Sequence, residues 1–367
     1  MIKRSCFILC AFLGWALPFL SQDIPINKVR ILASHNSYKL APDRHQMRFL
    51  NRIKRFMPPV LDPSEMDYGH EPIPVQLDSF LIRGLELDVY SDPVGGAFYK
   101  RRLPFFAWGI QQRSKIELLK KPGIKVLHIK DVDYHSSVNT WKDALFQLKE
   151  WSLLHPEHSV VYVNVEIKSD SPGSSSKWLR RMGFKPAPAF DLLALQELRN
   201  SAEQILGSQI FTPVMMKDQW GSIQDRIQKI GWPSIEETKG KFIFILEGLT
   251  ADLQELVLNA NQGEMFFYYG NEQDQRVGFV LKNNCVGHEL EIKECVEKGL
   301  MVRTRADAGT RESRMNDLTT FHAALKSNAQ IISTDYYRPD KRWSDYQVEI
   351  VKKKEWQLLL VECCNHY

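Results

Sequence analysis

A (β/α)8 barrel is the fold class this sequence predicts, on three observations. Apolar runs of strand length recur along most of the chain. Their cores are nearly continuous rather than alternating with polar residues, the pattern of parallel strands buried on both faces. Helical stretches separate them, and about eight strand-plus-helix units fit a closed barrel better than an open sheet.

In chain order, strands are predicted near Val29–Ala33, Gly84–Tyr90, Ile124–Ile129, Ser159–Ile167, Lys241–Leu246, Glu264–Tyr269, Leu300–Thr304 and Ala329–Thr334. Helices are predicted over Thr140–Leu154, Phe190–Leu206, Ser222–Ile230 and Met315–Ser327. In the first of these, Trp141, Ala144, Leu145, Leu148 and Trp151 form an apolar stripe at helical spacing, which reads as core packing. Two long insertions interrupt the alternation. Lys39–Phe80 carries a basic helix-like stretch, Met47–Phe56, ahead of Met57-Pro58-Pro59. Ser91–Gly123 carries Gly95-Gly96, Lys100-Arg101-Arg102 and Phe105-Phe106-Ala107-Trp108. Both follow strands on the same rim, where a barrel builds its active site. Ser171–Ser176, made of Ser, Pro and Gly, reads as a mobile loop. No internal repeat of solenoid period occurs.

The 367 residues are 44% hydrophobic and 25% charged, values that allow a substantial core without staples. A net charge of +4 gives no reason to propose nucleic acid, and it leaves peripheral contact with an anionic lipid surface open. A monomer is expected. Met1-Ile2-Lys3-Arg4 is a basic n-region and Cys6–Leu20 an apolar h-region, so residues 1–21 read as a secretory signal and 22–367 as one catalytic domain, secreted or periplasmic. Phe19 fits poorly where a small residue precedes cleavage, which keeps an uncleaved anchor as the alternative. Beyond the signal remain Cys285, Cys295, Cys363 and Cys364. An oxidising destination suggests a Cys285–Cys295 loop, with the vicinal pair able to compete for either partner.

Polar groups gather at the ends of four of these runs. His35 and Asn36 follow the first strand, Glu86 and Asp88 lie two apart on the second, His128 closes the third, and Glu166 and Lys168 share one face of the fourth. Residues two apart on a strand point the same way, so Glu86 and Asp88 both face into the barrel. Alone they would repel each other; a divalent cation held by Asn36, Glu86, Asp88 and Glu166 removes the conflict, and oxygen-only ligation favours Ca2+ or Mg2+ over zinc. The competing reading is a buried ion-pair network with Arg303, Arg305 and Lys168, which leaves two histidines on the same rim unexplained. Two imidazoles that shuttle protons beside such a cation suit phosphodiester cleavage. His45, His70, His135, His155, His158 and His288 end no apolar strand and read as solvated or capping residues, and His322 as surface or packing. Asp131-Val132-Asp133 is a fragment of a calcium loop without its Gly or distal Glu.

The strings Ser34-His35-Asn36-Ser37-Tyr38, Leu85-Glu86-Leu87-Asp88-Val89-Tyr90 with Asp92-Pro93 and Gly95-Gly96, Val126-Leu127-His128, and Val302-Arg303-Thr304-Arg305-Ala306-Asp307-Ala308 resemble the calcium-dependent phosphoinositide-specific phospholipase C family of bacteria and fungi. Gly231-Trp232-Pro233 and Ile332-Ser333-Thr334-Asp335-Tyr336 resemble further signatures of it, so the likeness runs in order from about Asn27 to Tyr346. The resemblance implies a TIM barrel that cleaves phosphatidylinositol-type phosphodiesters to diacylglycerol and a cyclic inositol phosphate. It implies His35 and His128 as the acid–base pair, with their order open, and Asn36, Glu86, Asp88 and Glu166 as the Ca2+ shell. It implies Lys168, Arg303, Arg305 and Asp335 as phosphate or head-group contacts. The alternatives are a glycerophosphodiester phosphodiesterase, with water as nucleophile, and a barrel that binds inositol phosphates or lipid without catalysis.

Overall fold

The computed structural model describes residues 24–56, 62–103, 106, 116–259, 265–350 and 359–360. The predicted signal, Met57-Pro58-Pro59, most of the segment 104–115 and Cys363-Cys364 lie outside the described residues.

Eight parallel strands form the wall: β1 (Val29–Ser34), β2 (Gly84–Tyr90), β4 (Val161–Lys168), β5 (Phe242–Glu247), β6 (Phe267–Tyr268), β7 (Phe279–Leu281), β8 (Met301–Arg305) and β9 (Ile331–Thr334). Their order is β6-β5-β4-β2-β1-β9-β8-β7. A parallel bridge between Tyr269 and Phe279 brings the two end strands together. The barrel is therefore the predicted one, with one stave exchanged. Ile124–Ile129 is not a wall strand. Only Lys125–Val126 is extended (β3), and it pairs antiparallel with Val89 and Tyr90 of β2. A parallel stave needs a crossover that returns the chain to the opposite end of the sheet. Between β2 and β3 the described residues contain only single turns, such as Glu117–Lys120, so the chain comes back on the rim it left. The eighth stave is Phe279–Leu281, too short a run to stand out in the sequence.

The predicted helices form, three of them starting at a side-chain cap. Trp141–Leu154 is capped by Thr140, Leu192–Leu206 by Asp191 and Ile223–Ile230 by Ser222, each through a side-chain oxygen that accepts a first-turn N–H. The fourth is shorter, Thr319–Lys326, and is preceded by a separate turn of helix, Arg311–Met315. The basic stretch becomes the helix Arg44–Ile53, started by Asp43 and continued as a 3-10 turn to Phe56. Ser171–Ser176 is not a free loop. Ser171 and Ser174 form a capping box around the turn Pro172–Ser175, and Ser176 caps the next helix, Lys177–Arg181.

Outward residues of the strands meet the helices in one continuous core that includes Leu87, Val163, Val165, Phe244 and Ile332. Trp141 is central to it, edge-on to Phe244, with its indole N–H donating to the Leu198 carbonyl at 2.9 Å. Gly84 is required where β1 and β2 meet, because a Cβ there would lie 2.4 Å from the Ala33 Cβ. Cys285 and Cys295 are buried free thiols, so the expected loop between them does not form. The Cys285 Sγ instead contacts the carbonyls of Arg305 (3.5 Å) and Thr320 (3.4 Å). No helix among the described residues is long and apolar enough to cross a membrane.

Phe244 is fully buried between Trp141 and Phe266. Truncating Phe244→Ala should cost about 3–5 kcal/mol of unfolding free energy, read as a lowered denaturant midpoint. A loss below about 1 kcal/mol would contradict this packing.

Candidate active site

Glu86 and Arg303 lie mid-strand, and the other sequence-predicted site residues lie at the C-terminal ends of the barrel strands or in the segments that follow them. His35 leaves β1 with its N–H donating to Thr334 O at 3.0 Å. Asn36 follows in the left-handed region, φ 51°, a conformation asparagine tolerates better than most residues. The turn it makes lets Ser37 N donate to Glu86 O and Glu86 N donate to Ser37 Oγ (2.8 Å), which fixes the histidine's loop to β2.

Register then lines up the carboxylates. Asp88 on β2 lies beside Glu166 on β4, and Glu166 beside Glu247 on β5. Glu86, Asp88 and Glu166 each offer an oxygen within 4.8 Å of the others. Asp88 is the most buried of them, and neither of its oxygens has a hydrogen-bond partner among the described residues. Burial pushes its carboxyl well above the usual range; Lys168 opposes this, and Glu166 and Glu86 add to it. Burial likewise raises Glu86 to about 7 against the pull of Arg303. Asn36 engages two tyrosines: its Nδ2 donates to Tyr68 Oη at 2.8 Å, and its Oδ1 accepts from Tyr38 Oη at 3.2 Å.

The ion-pair network weighed against a cation site is also present. Arg303 donates to Glu86 and, at 3.1 Å, to Ser333 Oγ. Lys168 pairs with Glu166 and lies 3.4 Å from Asp88. Arg305 does not join the carboxylate row; it pairs with Asp335 at 3.2 Å. The network balances Glu86 and Glu166 but leaves both Asp88 oxygens without a hydrogen bond. Three clustered carboxylates, one of them with no hydrogen bond and a single ammonium at 3.4 Å, fit a hard cation that takes six to eight oxygen ligands.

Both histidines are held through Nδ1 by a buried aspartate. His35 Nδ1 lies 2.8 Å from Asp335 Oδ1, and His128 Nδ1 lies 2.9 Å from Asp133 Oδ2. Asp133 is also 3.2 Å from the buried ammonium of Lys39, which donates to the carbonyls of Met66 and Tyr68. Against burial, Lys39 and His128 hold the Asp133 carboxyl below its usual range. Burial lowers His35 well below the ordinary histidine value, and the charges of Arg305 and Arg303 lower it further. His35 and His128, with Glu86, Glu166, Lys168, Arg303, Arg305 and Asp335, line one cavity of about 410 Å³.

Several contributors were not anticipated. Asp133, first read as a calcium-loop fragment, orients His128; it sits five residues on, across an Ile129–Asp133 bridge that turns through Asp131 at φ 69°. Glu247 closes the apolar run Phe242–Leu246, the one signal that could have found it. His70 is buried, not solvated: its Nε2 lies 2.6 Å from His35 O and its ring stacks on Tyr337. His158 is buried too, bonded to Ser152 Oγ far from the cavity. Asp92 of the Asp-Pro-x-Gly-Gly string is structural, accepting from Gly95 N and facing Lys125 at 3.8 Å.

A family profile described as phosphoinositide phospholipase C, Ca2+-dependent, matches residues 24–358. No curated protein matches the chain. Among solved structures, a calcium-dependent phosphoinositol-specific phospholipase C from Pseudomonas sp. in a myoinositol complex is 15% identical, with 86% of this chain and 91% of that chain covered and a TM-score of 0.53. An apo crystal form of a calcium-dependent phosphoinositol-specific phospholipase C from Pseudomonas sp. is 14% identical over 85% and 90%, at 0.52. A Streptomyces antibioticus Ca2+-dependent phosphatidylinositol-specific phospholipase C is 14% identical over 86% and 95%, at 0.47. At such identities the Pseudomonas structures show the shared barrel.

Replacing Asp88→Asn should raise the melting temperature of the metal-free protein by roughly 2 °C, as about 1 kcal/mol of relieved burial and repulsion would. Calorimetry in EGTA reads this. A lower melting temperature with an unchanged calcium response would make the cluster an ion-pair network only.

Proposed function

The chain belongs to the Ca2+-dependent phosphoinositide phospholipase C family, and we propose that it cleaves phosphatidylinositol-type phosphodiesters by two-histidine acid–base catalysis in this cavity. The observation that carries the reading is the pairing of two aspartate-held imidazoles with a three-carboxylate cluster at one cavity. Glu86, Asp88 and Glu166, with the amide oxygen of Asn36, would hold Ca2+. When bound, the ion supplies positive charge that offsets the phosphate's and lowers the pKa of the attacking hydroxyl.

The remaining chemistry belongs to the chain. An Nδ1–H bonded to Asp335 leaves His35 Nε2 to accept a proton, and a site that disfavours the imidazolium at rest keeps that nitrogen unprotonated. His35 therefore takes the proton of the inositol 2-hydroxyl as its oxygen bonds to phosphorus. His128, its imidazolium supported by Asp133, gives its proton to the departing diacylglycerol oxygen. The product is a cyclic inositol phosphate, which water opens with the roles exchanged. Arg305 and Lys168 point cationic groups into the same cavity and would bind the phosphate; Arg303 and Asp335 position Glu86 and His35. Export by the signal at residues 1–21, and a monomeric state, belong to the same proposal.

Activity should vanish in excess EGTA and return with Ca2+, with Mg2+ a poor substitute because it takes fewer ligands from protein. Full activity in EGTA would remove the cation from the reading. Phosphorus NMR of products then separates the two nucleophiles: a cyclic phosphate reports hydroxyl attack, and an acyclic product from the first turnover reports water.

His35→Ala and His128→Ala should each lower kcat by at least about 100-fold with little change in KM. A substrate with a more acidic leaving group should rescue His128→Ala and not His35→Ala. Rescue of the opposite variant would reverse the assignment.

A further inference from the structure

Two rim segments stand apart in charge. Residues 44–56 contain Arg44, Arg48, Arg52, Lys54 and Arg55 and no Asp or Glu; residues 171–190 contain Lys177, Arg180, Arg181 and Lys185, again with no acid. The chain as a whole is nearly balanced, 48 basic residues to 44 acidic, so these stretches are a local concentration. Arg44, Arg48, Arg52, Lys177 and Arg181 are exposed and have no ion-pair partner among the described residues.

The fold joins the two segments. Met47 and Leu50 from the helix Arg44–Ile53 pack with Leu179 and Phe184, around the helix Lys177–Arg181, in a small apolar cluster separate from the barrel core. Met66 and Leu179 of that cluster also line the active-site cavity. Beneath the cationic face is thus a wall of the cavity. Within the face, Trp178 is 60% exposed, flanked by Lys177, Arg180 and Arg181.

We propose that this face, Arg44, Arg48 and Arg52 on one helix with Lys177, Trp178 and Arg181 on the other, docks the enzyme on an anionic phospholipid bilayer with the cavity mouth beside the lipid head groups. Charge complementarity draws basic side chains to an anionic leaflet. A tryptophan suits the boundary between head groups and acyl chains, where one end of the ring is apolar and the other wet. The proposal rests on the reading of the cavity as a lipid phosphodiesterase site: its substrate's head group must be reached while the diacylglycerol stays in the bilayer, which requires the docking face at the cavity rim.

The test is cosedimentation of the full chain with phosphatidylcholine vesicles, with and without phosphatidylglycerol and free of any phosphoinositide, at low and high salt. The wild type should bind only the anionic vesicles and lose them as salt rises. At about fivefold for each charge removed, Arg44→Gln/Arg48→Gln/Arg52→Gln should weaken binding roughly 100-fold and Lys177→Gln/Arg181→Gln roughly 30-fold. Trp178→Ala should weaken it while keeping the salt dependence. Melting temperature and hydrolysis of monomeric short-chain phosphatidylinositol, unchanged in these variants, exclude misfolding. Equal binding to neutral and anionic vesicles, or variants that bind as the wild type does, would overturn the proposal. So would retention of single-stranded RNA in place of vesicles. Vesicle binding without hydrolysis of any phosphoinositide would defeat the reading of the cavity and leave the docking face standing.

Discussion

The charge buried between β2, β4, β5 and β8 is the constraint from which the site follows. Asp88, Glu166 and Glu247 occupy adjacent register positions, and Glu86 lies one inward step below Asp88. Ionised carboxylates cost several kcal/mol each to bury and repel one another at this spacing. Arg303 and Lys168 offset part of that cost from inside the same barrel. The balance is incomplete at Asp88, the least exposed member. A barrel that keeps such an imbalance holds a strong field at the mouth of its cavity, the requirement for recognising a cation and a phosphate together.

The histidines extend this logic. Each imidazole is bonded at one nitrogen to a buried aspartate, which fixes the tautomer and turns the other nitrogen towards the cavity. Their surroundings then differ. His35 sits among the guanidinium groups of Arg305 and Arg303, which oppose a second charge. His128 shares its aspartate with Lys39, whose ammonium is buried under Tyr68. Two similar side chains are thus set in different electrostatic surroundings by what lies behind them.

Period and position made much of this legible in the sequence. Apolar runs ending in Glu86, Asp88, Glu166 and His35 announced both the wall strands and the residues they deliver to the rim. The helices over Thr140–Leu154 and Ser222–Ile230 were placed to within a residue of their starts, at the side chains that cap them. Where the reading departed from the structure, long-range geometry decided. Ile124–Ile129 has the composition of a stave, but strand direction depends on the path of the connection, which composition does not encode. His70 ends no strand, and its burial comes from Tyr337, more than 250 positions away in the chain. Asp133 reaches His128 only because the chain doubles back at Asp131. Cys285 and Cys295 are close in sequence, yet their distance is set by a helix and a strand end.

The short antiparallel arm β3 has a mechanical meaning. His35 is mounted on the barrel wall, where moving it would disturb the register of β1 against both neighbours. His128 is carried by a strap folded over the rim, tied down by Asp133, Lys39 and the pairing with β2. The strap contributes no stave, so the segment before it can change length without shifting any wall strand. One histidine is then a fixed reference and the other an adjustable one. The spacing of the two imidazoles can therefore change through the strap alone, with the wall left as it is.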